Sequence, residues 1–154
     1  MSIWFDDYPL KAINRRTKNT MVNHLGIRFV ELGDDFLRAE MPVDERTRQT
    51  YGILHGGASM ALAETLGSVA CSLCLDLSQK FCVGLAINGN FIRRVREGSV
   101  FGTARALHLG RRTHLWEIRI ENEAGKLVCV SRMTLAILDL ADSDMPSREI
   151  ATKG

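Results

Sequence analysis

The apolar residues in the middle of the chain recur at intervals of three and four positions. Between Tyr51 and Cys74 they fall at Leu62, Leu66, Val69 and Leu73, which is the spacing of one helical face. A glycine-rich turn at 54–57 precedes this run, and no proline interrupts it. The pattern predicts a long helix that begins after the turn and buries one side.

The chain beyond this helix alternates with the shorter period of β-strands. In the segment 113–121, His114, Trp116, Ile118 and Ile120 alternate with Leu115, Glu117, Arg119 and Glu121, as in a half-buried strand. Turn residues bound further strands over 81–95, 100–109 and 126–138. Glycines at 84 and 89 predict bulges or close backbone approaches in the first of these. Because 126–138 is apolar on both faces, we expect it to be a central strand.

Two shorter strands are predicted upstream of the helix, over 27–32 and 36–43, with a hairpin turn at 33–35. Six strands and one long helix predict a single α+β domain, in which an antiparallel sheet wraps around the central helix. We expect a helical flap over 1–23, with one amphipathic helix from Pro9 to Val22, and the main domain over 24–140. The segment 141–154 is expected to be a flexible tail because it is rich in polar residues and proline, namely Asp142, Ser143, Asp144, Pro146 and Ser147.

Composition narrows the class of protein. The 154 residues are enough for one domain with its own core. The net charge of +2 does not favour nucleic acid. No segment reads as a transmembrane helix or signal peptide, so we expect a cytoplasmic protein without a membrane partner. The four cysteines are too few for a disulfide framework. Cys71 and Cys74 have C-x-x-C spacing inside the predicted helix, and we expect small core residues there rather than a redox or zinc site.

The predicted helix carries two polar residues that the apolar pattern does not explain. Glu64 and Ser68 are four positions apart and therefore share a face. A carboxylate in so apolar a helix needs partners or a chemical role. Gln49 and His55 lie just upstream, and the helix start is expected to offer the free backbone N–H groups of residues 56–58. A base, an imidazole, an amide and oxyanion donors are the groups that acyl transfer requires.

The segments that carry these residues resemble the hotdog-fold acyl-CoA thioesterases. Within that family they are most similar to the phenylacetate-pathway (PaaI-like) subgroup, with its 1,4-dihydroxy-2-naphthoyl-CoA hydrolases and enterobactin-pathway proofreading thioesterases. The resemblance extends from about His24 to Leu138. It rests on an ordered set of stretches: Met41-Pro42-Val43-Asp44, Gly52-Ile53-Leu54-His55-Gly56-Gly57-Ala58, Leu62-Ala63-Glu64-Thr65-Leu66-Gly67-Ser68, Val83-Gly84-Leu85, Arg96-Glu97-Gly98, Leu107-His108-Leu109-Gly110-Arg111 and Ser131-Arg132-Met133-Thr134.

The resemblance implies a role for each residue of the site. It implies that Glu64 is the general base or the nucleophile, that Gln49 and the Gly56 N–H polarise the thioester carbonyl, and that His55 and Ser68 assist. It also implies a site formed across a dimer interface, dimers that pair into tetramers, and no metal or cofactor besides the CoA of the substrate. The CoA contacts that it implies are Gly84, Phe91, Ile92, Arg93, Arg94, His108, Leu109, Gly110, Arg111, Arg112 and Thr113.

Two positions depart from the pattern of the subgroup. Phe91 stands where its members have a histidine near the acyl end, and Ala86 stands where they have a glutamate. We expect aromatic or hydroxyaromatic acyl-CoA substrates, with medium-chain acyl-CoA as a side activity. Whether the thioester carrier is CoA or a carrier protein is left open.

Three other functions fit parts of the pattern. A hotdog dehydratase also pairs a histidine with a carboxylate, but this chain lacks the His-Phe-Pro-Gly type of turn that such enzymes carry. A non-catalytic acyl-CoA-binding protein would not need Glu64, Gln49 and His55 together. Nucleic-acid binding through the arginines would need a basic face, which the small net charge does not favour.

Overall fold

The computed structural model describes residues 1–145 and 150–153. Its helices are α1 (Leu10–Arg15), α2 (Met21–His24) and α3 (Gly56–Leu73), and a 3₁₀ turn covers Leu140–Asp142. Its strands are β1 (Arg28–Leu32), β2 (Phe36–Pro42), β3 (Lys80–Phe91), β4 (Ser99–Leu109), β5 (Thr113–Asn122) and β6 (Leu127–Asp139). The strands form one antiparallel sheet in the order β1-β2-β4-β5-β6-β3.

The sheet curves around α3, as the sequence predicts. Leu62, Leu66 and Leu73 are fully buried, and α3 contacts the five strands β2 to β6. Gly102 on β4 lets the helix approach closely, since a Cβ atom there would lie 2.5 Å from Leu66 Cδ1. The α+β fold with one central helix is therefore confirmed.

Strand β6 has a hydrogen-bonded neighbour on each side, β5 and β3. Its predicted internal position is confirmed. In β5 the predicted alternation holds, because His114, Trp116 and Ile118 are buried while Arg119 is exposed. Burial of alternate side chains fixes the register, since a slip of one residue would turn this apolar set outward.

Strand β3 is an edge strand and is shorter than predicted. It ends at Phe91 rather than at Val95. The backbone N–H groups of Ile92 and Arg93 both donate to the carbonyl oxygen of Val128, at 2.8 and 3.3 Å, and this interrupts the regular pairing. The register shifts between Gly84 and Ala86, which confirms the bulge expected there.

The single helix predicted from Pro9 to Val22 is wrong in extent. Helix α1 ends at Arg15, and α2 begins only at Met21. Between them Asn19 adopts a left-handed backbone with φ of 60°, which a continuous helix does not allow. Asn14 ties α1 to the sheet: its side chain donates to Phe29 O and accepts from Phe29 N, both at 2.9 Å.

The end of the chain is described only in part. Pro146 and Ser147 lie outside the described residues, and the flexibility expected for 141–154 stays a prediction. Ile150 is buried, and Lys153 N donates to Asp7 O at 2.8 Å. Over 1–145 and 150–153, no helix is long and apolar enough to span a membrane.

Candidate active site

A carboxylate and a hydroxyl share the face of α3 that is turned toward β3. Ser68 Oγ donates to Glu64 Oε1 at 3.2 Å, as their spacing predicts. A Cβ atom at Gly84 of β3 would lie 4.0 Å from the same oxygen. Glu64 is nevertheless exposed in the single chain. The carboxylate is thus held on one side by a hydroxyl and open on the other, as a base or nucleophile requires.

Met133 of β6 is a part of this region that sequence reasoning missed. Its side chain packs between the helix and the edge strand. A Cβ atom built at Gly67 of α3 would lie 2.8 Å from Met133 Sδ, and one built at Gly84 of β3 would lie 2.9 Å from Met133 Cε. Met133 is 1% exposed. It therefore sets the separation between α3 and β3 beside Glu64. A methionine in an apolar strand has no sequence signal that distinguishes this role from ordinary core packing.

His55 caps the N-terminus of α3. Its Nδ1 accepts from Gly57 N at 2.7 Å. Because Nδ1 is the acceptor, the proton of the neutral imidazole is on Nε2. The ring is exposed. His55 can therefore stabilise the helix through one nitrogen and donate a hydrogen bond to a ligand through the other.

The helix start offers fewer free donors than the sequence predicts. Gly57 N is taken by the His55 ring, and Ala58 N donates to His55 O at 3.0 Å. Among the described residues, the Gly56 N–H has no hydrogen-bond partner. The expectation of three free donors is wrong because the preceding residue itself satisfies two of them. Gly56 remains, at the end of the helix where the dipole favours negative charge.

Gln49 is held near His55 by the loop that leads into α3. An isolated β-bridge joins Arg48 to Leu54. The backbone N–H of His55 donates to the carbonyl oxygen of the buried Thr47 at 2.8 Å. The side-chain oxygen of Gln49 accepts a short hydrogen bond from Tyr51 N. Within the described chain its amide nitrogen has no partner, so this nitrogen can donate to a ligand.

Glu64 does not lie beside Gly56 of its own chain, one of the groups that the resemblance assigns to polarising the carbonyl. Gly56 and Glu64 are eight residues apart in one helix, which separates them by ~12 Å at 1.5 Å per residue. One carbonyl group cannot contact both. Within a single chain the site residues thus form two separate groups. The first contains His55, Gly56 and Gln49. The second contains Glu64, Ser68 and Gly84.

Apart from Gly84, which lies beside Glu64, the predicted CoA contacts also fall into two groups. Phe91 packs over the helix start, since its Cε1 and Cζ atoms lie 3.0 Å from a Cβ built at Gly56. Ile92, Arg93 and Arg94 follow it and are exposed. Arg93 Nη1 is 3.4 Å from Leu127 O. This first group therefore belongs with the groups around His55.

The second group lies at the turn between β4 and β5, and it contains His108, Leu109, Gly110, Arg111, Arg112 and Thr113. Thr113 of β5 pairs with Ala136 of β6, and Ala136 pairs on its other side with Val83 of β3. Val83 is eight residues from Phe91, or ~27 Å along the strand. Arg111 and Arg112 line a surface cavity of about 450 Å³. One chain does not bring the two arginine groups together.

No metal site accompanies these residues in the described part of the chain, where no group of three His, Cys, Asp or Glu side chains could hold an ion.

Comparisons with known proteins identify the family of this chain. The model of the thioesterase superfamily matches residues 51–129. The 1,4-dihydroxy-2-naphthoyl-CoA hydrolase of Escherichia coli K12 is 52% identical over 136 residues, which cover 88% of this chain and 99% of that one. The proofreading thioesterase EntH of Cronobacter sakazakii is 50% identical, with 88% and 98% covered. A mutant thioesterase from Pseudomonas aeruginosa has a similar structure, with a TM-score of 0.89, 49% identity and 90% and 100% coverage.

The matched segment contains Glu64, Ser68, His55 and Gly84, and ends within β6. The hotdog fold, the family match and the relatives thus agree. The chain belongs to the thioesterase superfamily and is a thioester hydrolase.

Proposed function

We propose that this protein hydrolyses acyl-CoA thioesters to the free acid and CoA, with aromatic or hydroxyaromatic acyl groups preferred and medium-chain groups accepted more slowly. The observation that carries the proposal is the Glu64–Ser68 pair, open to solvent opposite Gly84. The similarity to a 1,4-dihydroxy-2-naphthoyl-CoA hydrolase supports the CoA ester and the aromatic acyl group.

Hydrolysis needs a group that attacks the carbonyl carbon and donors for the oxygen that becomes negative. Glu64 removes a proton from the attacking water, or attacks the carbonyl itself. The Gly56 N–H and the Gln49 amide donate to the carbonyl oxygen, and one such donor contributes ~3 kcal/mol in the transition state. His55 Nε2–H lies in the same group and donates near the carbonyl or the leaving sulfur. The CoA thiolate leaves and takes up a proton.

Both groups can act on one thioester if two chains form the site. The edge of β3 that faces away from β6 is unpaired in the single chain. Apolar side chains on and after this strand are exposed: Val83 37%, Leu85 63%, Ile87 37%, Phe91 59% and Ile92 55%. An edge of this kind is a template for strand pairing. Antiparallel pairing of two β3 edges about a two-fold axis sets the Phe91 end of one strand against the Gly84 end of the other.

This dimer gives each site Glu64 and Ser68 from one chain, and His55, Gly56 and Gln49 from the other. It also brings the 91–94 arginines of one chain toward the 108–113 segment of the other. Guanidinium groups suit the pyrophosphate and ribose phosphate of CoA. Such dimers pair into a homotetramer.

The first experiment measures free-thiol release from hydroxynaphthoyl-, hydroxybenzoyl-, phenylacetyl- and fatty acyl-CoA. Glu64→Gln is expected to lower kcat by about a thousandfold, the scale of general-base catalysis. The matched control is Glu31→Gln, an exposed carboxylate on β1, which is expected to leave turnover unchanged. Enoyl thioester formation without thiol release would establish a dehydratase instead, and binding of the CoA esters without any turnover would establish a binding protein.

The composite site has a separate test. Glu64→Gln and His55→Asp chains with different affinity tags are co-expressed and purified through both tags. Each homodimer lacks one essential group in both sites, whereas each heterodimer has one site with both groups intact. Because doubly tagged tetramers can also pair two inactive homodimers, the selected protein is expected to recover up to about half the wild-type activity. Activity no higher than that of the two single variants would show that each site is formed within one chain.

A further inference from the structure

Three of the four cysteines meet at the C-terminal half of α3, outside the groups assigned to hydrolysis. Cys71 is fully buried on the helix, and Cys82 is half-buried on β3. Cys82 Sγ lies 3.4 Å from Ser72 Oγ and 3.7 Å from Ser68 O. Its side chain therefore packs against the turn of helix that carries Cys71. Cys74 is half-buried one turn further along.

The cluster also contains an imidazole. Cys71 Sγ lies 3.3 Å from Nδ1 of His114, which is buried in β5. Burial lowers the pKa of His114, and the nearby His108 lowers it further. The ring is therefore neutral at pH 7, and it lies in contact with the Cys71 sulfur.

The two thiols differ in their readiness to ionise. A hydrogen bond from Cys71 lowers the pKa of the Cys82 thiol, against the effect of burial, and the Ser72 hydroxyl lowers it further. The same hydrogen bond raises the pKa of Cys71, and burial adds to this effect. Burial raises the pKa of Cys74 to about 12. Cys82 is thus the half-buried thiol that ionises more readily, and Cys71, next to Ser72 on the helix turn that Cys82 contacts, stays protonated.

We propose that Cys71 and Cys82 form an oxidisable dithiol site, which reacts with hydrogen peroxide and closes to a reversible disulfide between α3 and β3.

The reaction consumes one peroxide and releases two waters. The Cys82 sulfur attacks a peroxide oxygen, the O–O bond breaks, and the hydroxide that leaves takes up a proton. Cys82 is then a sulfenic acid. The Cys71 sulfur attacks the Cys82 sulfur, the S–O bond breaks, and the thiol proton of Cys71 leaves with the departing oxygen as the second water. The two sulfurs have lost two electrons, and the peroxide has gained them. A dithiol reductant reverses the change.

The sequence makes the product easy to identify. Cleavage after lysine and arginine places Cys71 and Cys74 together in the peptide 49–80, and Cys82 in the peptide 81–93. The native protein is treated with a small excess of hydrogen peroxide, alkylated, denatured, digested and analysed by mass spectrometry. We expect the two peptides to be joined, with the loss of two hydrogens, and to separate after treatment with dithiothreitol. Fragmentation of the joined peptides is expected to assign the bond to Cys71.

Two matched variants identify the partner of Cys82. Cys74→Ser is expected to retain the joined peptides, whereas Cys71→Ser is expected to reduce them at least about tenfold, because the resolving thiol is removed. The Ser hydroxyl keeps a polar group beside His114, and circular dichroism checks the fold. If Cys71→Ser does not fold, the fragmentation of the wild-type product decides the assignment.

Several outcomes would overturn the proposal. These are a bond inside the peptide 49–80, a bond from Cys82 to Cys74, oxidation of Cys82 to sulfinic or sulfonic acid without any bond, or four free thiols after treatment. The proposal does not rest on the substrate or on the dimer, since its readout is the mass of the peptides.

Discussion

Ser68 donates a hydrogen bond to Glu64 Oε1 across one turn of α3, over a distance of 3.2 Å. The pair lies on an exposed part of the helix, so the bond orients the carboxylate more than it stabilises the fold. A hydroxyl in this place holds one oxygen of Glu64 and leaves the other for water or for the thioester.

Removal of that hydroxyl is expected to lower the rate without affecting the fold. Ser68→Ala loses one hydrogen bond to a charged group, worth about 1.5–3 kcal/mol when it is fully formed. We expect kcat to fall about tenfold, which corresponds to the lower end of that range, and the melting temperature to change little. The matched control is Ser72→Ala, four residues further along, whose hydroxyl donates to Ser68 O at 2.9 Å. Equal loss of activity in both variants would contradict the specific role of Ser68.

His55 has a structural and a chemical role that substitution can separate. Its Nδ1 caps the helix through Gly57 N, and loss of an N-cap costs about 1 kcal/mol. His55→Ala is expected to lose both this stability and most of the activity. His55→Asp retains an acceptor for Gly57 but lacks the Nε2–H donor. We expect it to recover the unfolding free energy, measured in urea, while kcat stays low. Recovery of both quantities would mean that His55 acts only as a cap.

The fold was predictable from the sequence because its signals are local and periodic. The alternation around Trp116 gave β5, and the spacing of Leu62 and Leu66 gave α3. The extent of α1 was not predictable, since it depends on the left-handed Asn19 and on the bonds from Asn14 to the backbone of β1. Those contacts exist only after the strand has folded beside the helix.

The site also has some contacts that local sequence spacing predicts and others that depend on the folded chain. Four-residue spacing predicted that Glu64 and Ser68 would meet. The separation of Glu64 from Gly56 follows from helix geometry. The positions of the groups that approach from other strands cannot be derived in this way. Met133 reaches Gly84 from β6, and Cys82 of β3 contacts Ser72, ten residues earlier in the sequence. Cys71 is buried as predicted, but its sulfur contacts His114 of β5, which no C-x-x-C spacing indicates.

Phe91 restricts what can occupy position 56. A Cβ atom at Gly56 would lie 3.0 Å from two ring atoms of Phe91, so the exposed ring must move. We expect Gly56→Ala to lower kcat/KM severalfold and to cost less than about 1 kcal/mol of stability, since an exposed side chain yields easily. In the double variant with Phe91→Leu, the activity lost through the clash is expected to return. A double-mutant cycle on kcat/KM measures this coupling, and strictly additive effects would contradict it.

Gly67 is required for packing, although it lies within a helix. Alanine there would gain ~1 kcal/mol of helix propensity. Its Cβ atom would, however, lie 2.8 Å from Met133 Sδ in the fully packed core, and overpacking costs about 1–3 kcal/mol. We expect Gly67→Ala to be less stable than wild type in urea unfolding. The additional change Met133→Val removes the sulfur and is expected to reverse much of the loss. A more stable Gly67→Ala protein would show that Met133 has room to move.

The unequal pKa values of the cysteines predict a pH-dependent difference in alkylation. The hydrogen bond from Cys71 lowers the pKa of Cys82, whereas burial raises the pKa of Cys129. At pH 7 Cys82 therefore has the larger thiolate fraction, and we expect iodoacetamide to modify it at least about tenfold faster than Cys129. The rate at Cys82 should fall as pH decreases through its lowered pKa. Cys71→Ala removes the hydrogen-bond donor to Cys82, so the midpoint of the alkylation profile should move to higher pH. Cys74 does not donate to Cys82, so Cys74→Ala should shift this midpoint less. Identical profiles in the wild type and Cys71→Ala would show that Cys71 does not set the reactivity of Cys82.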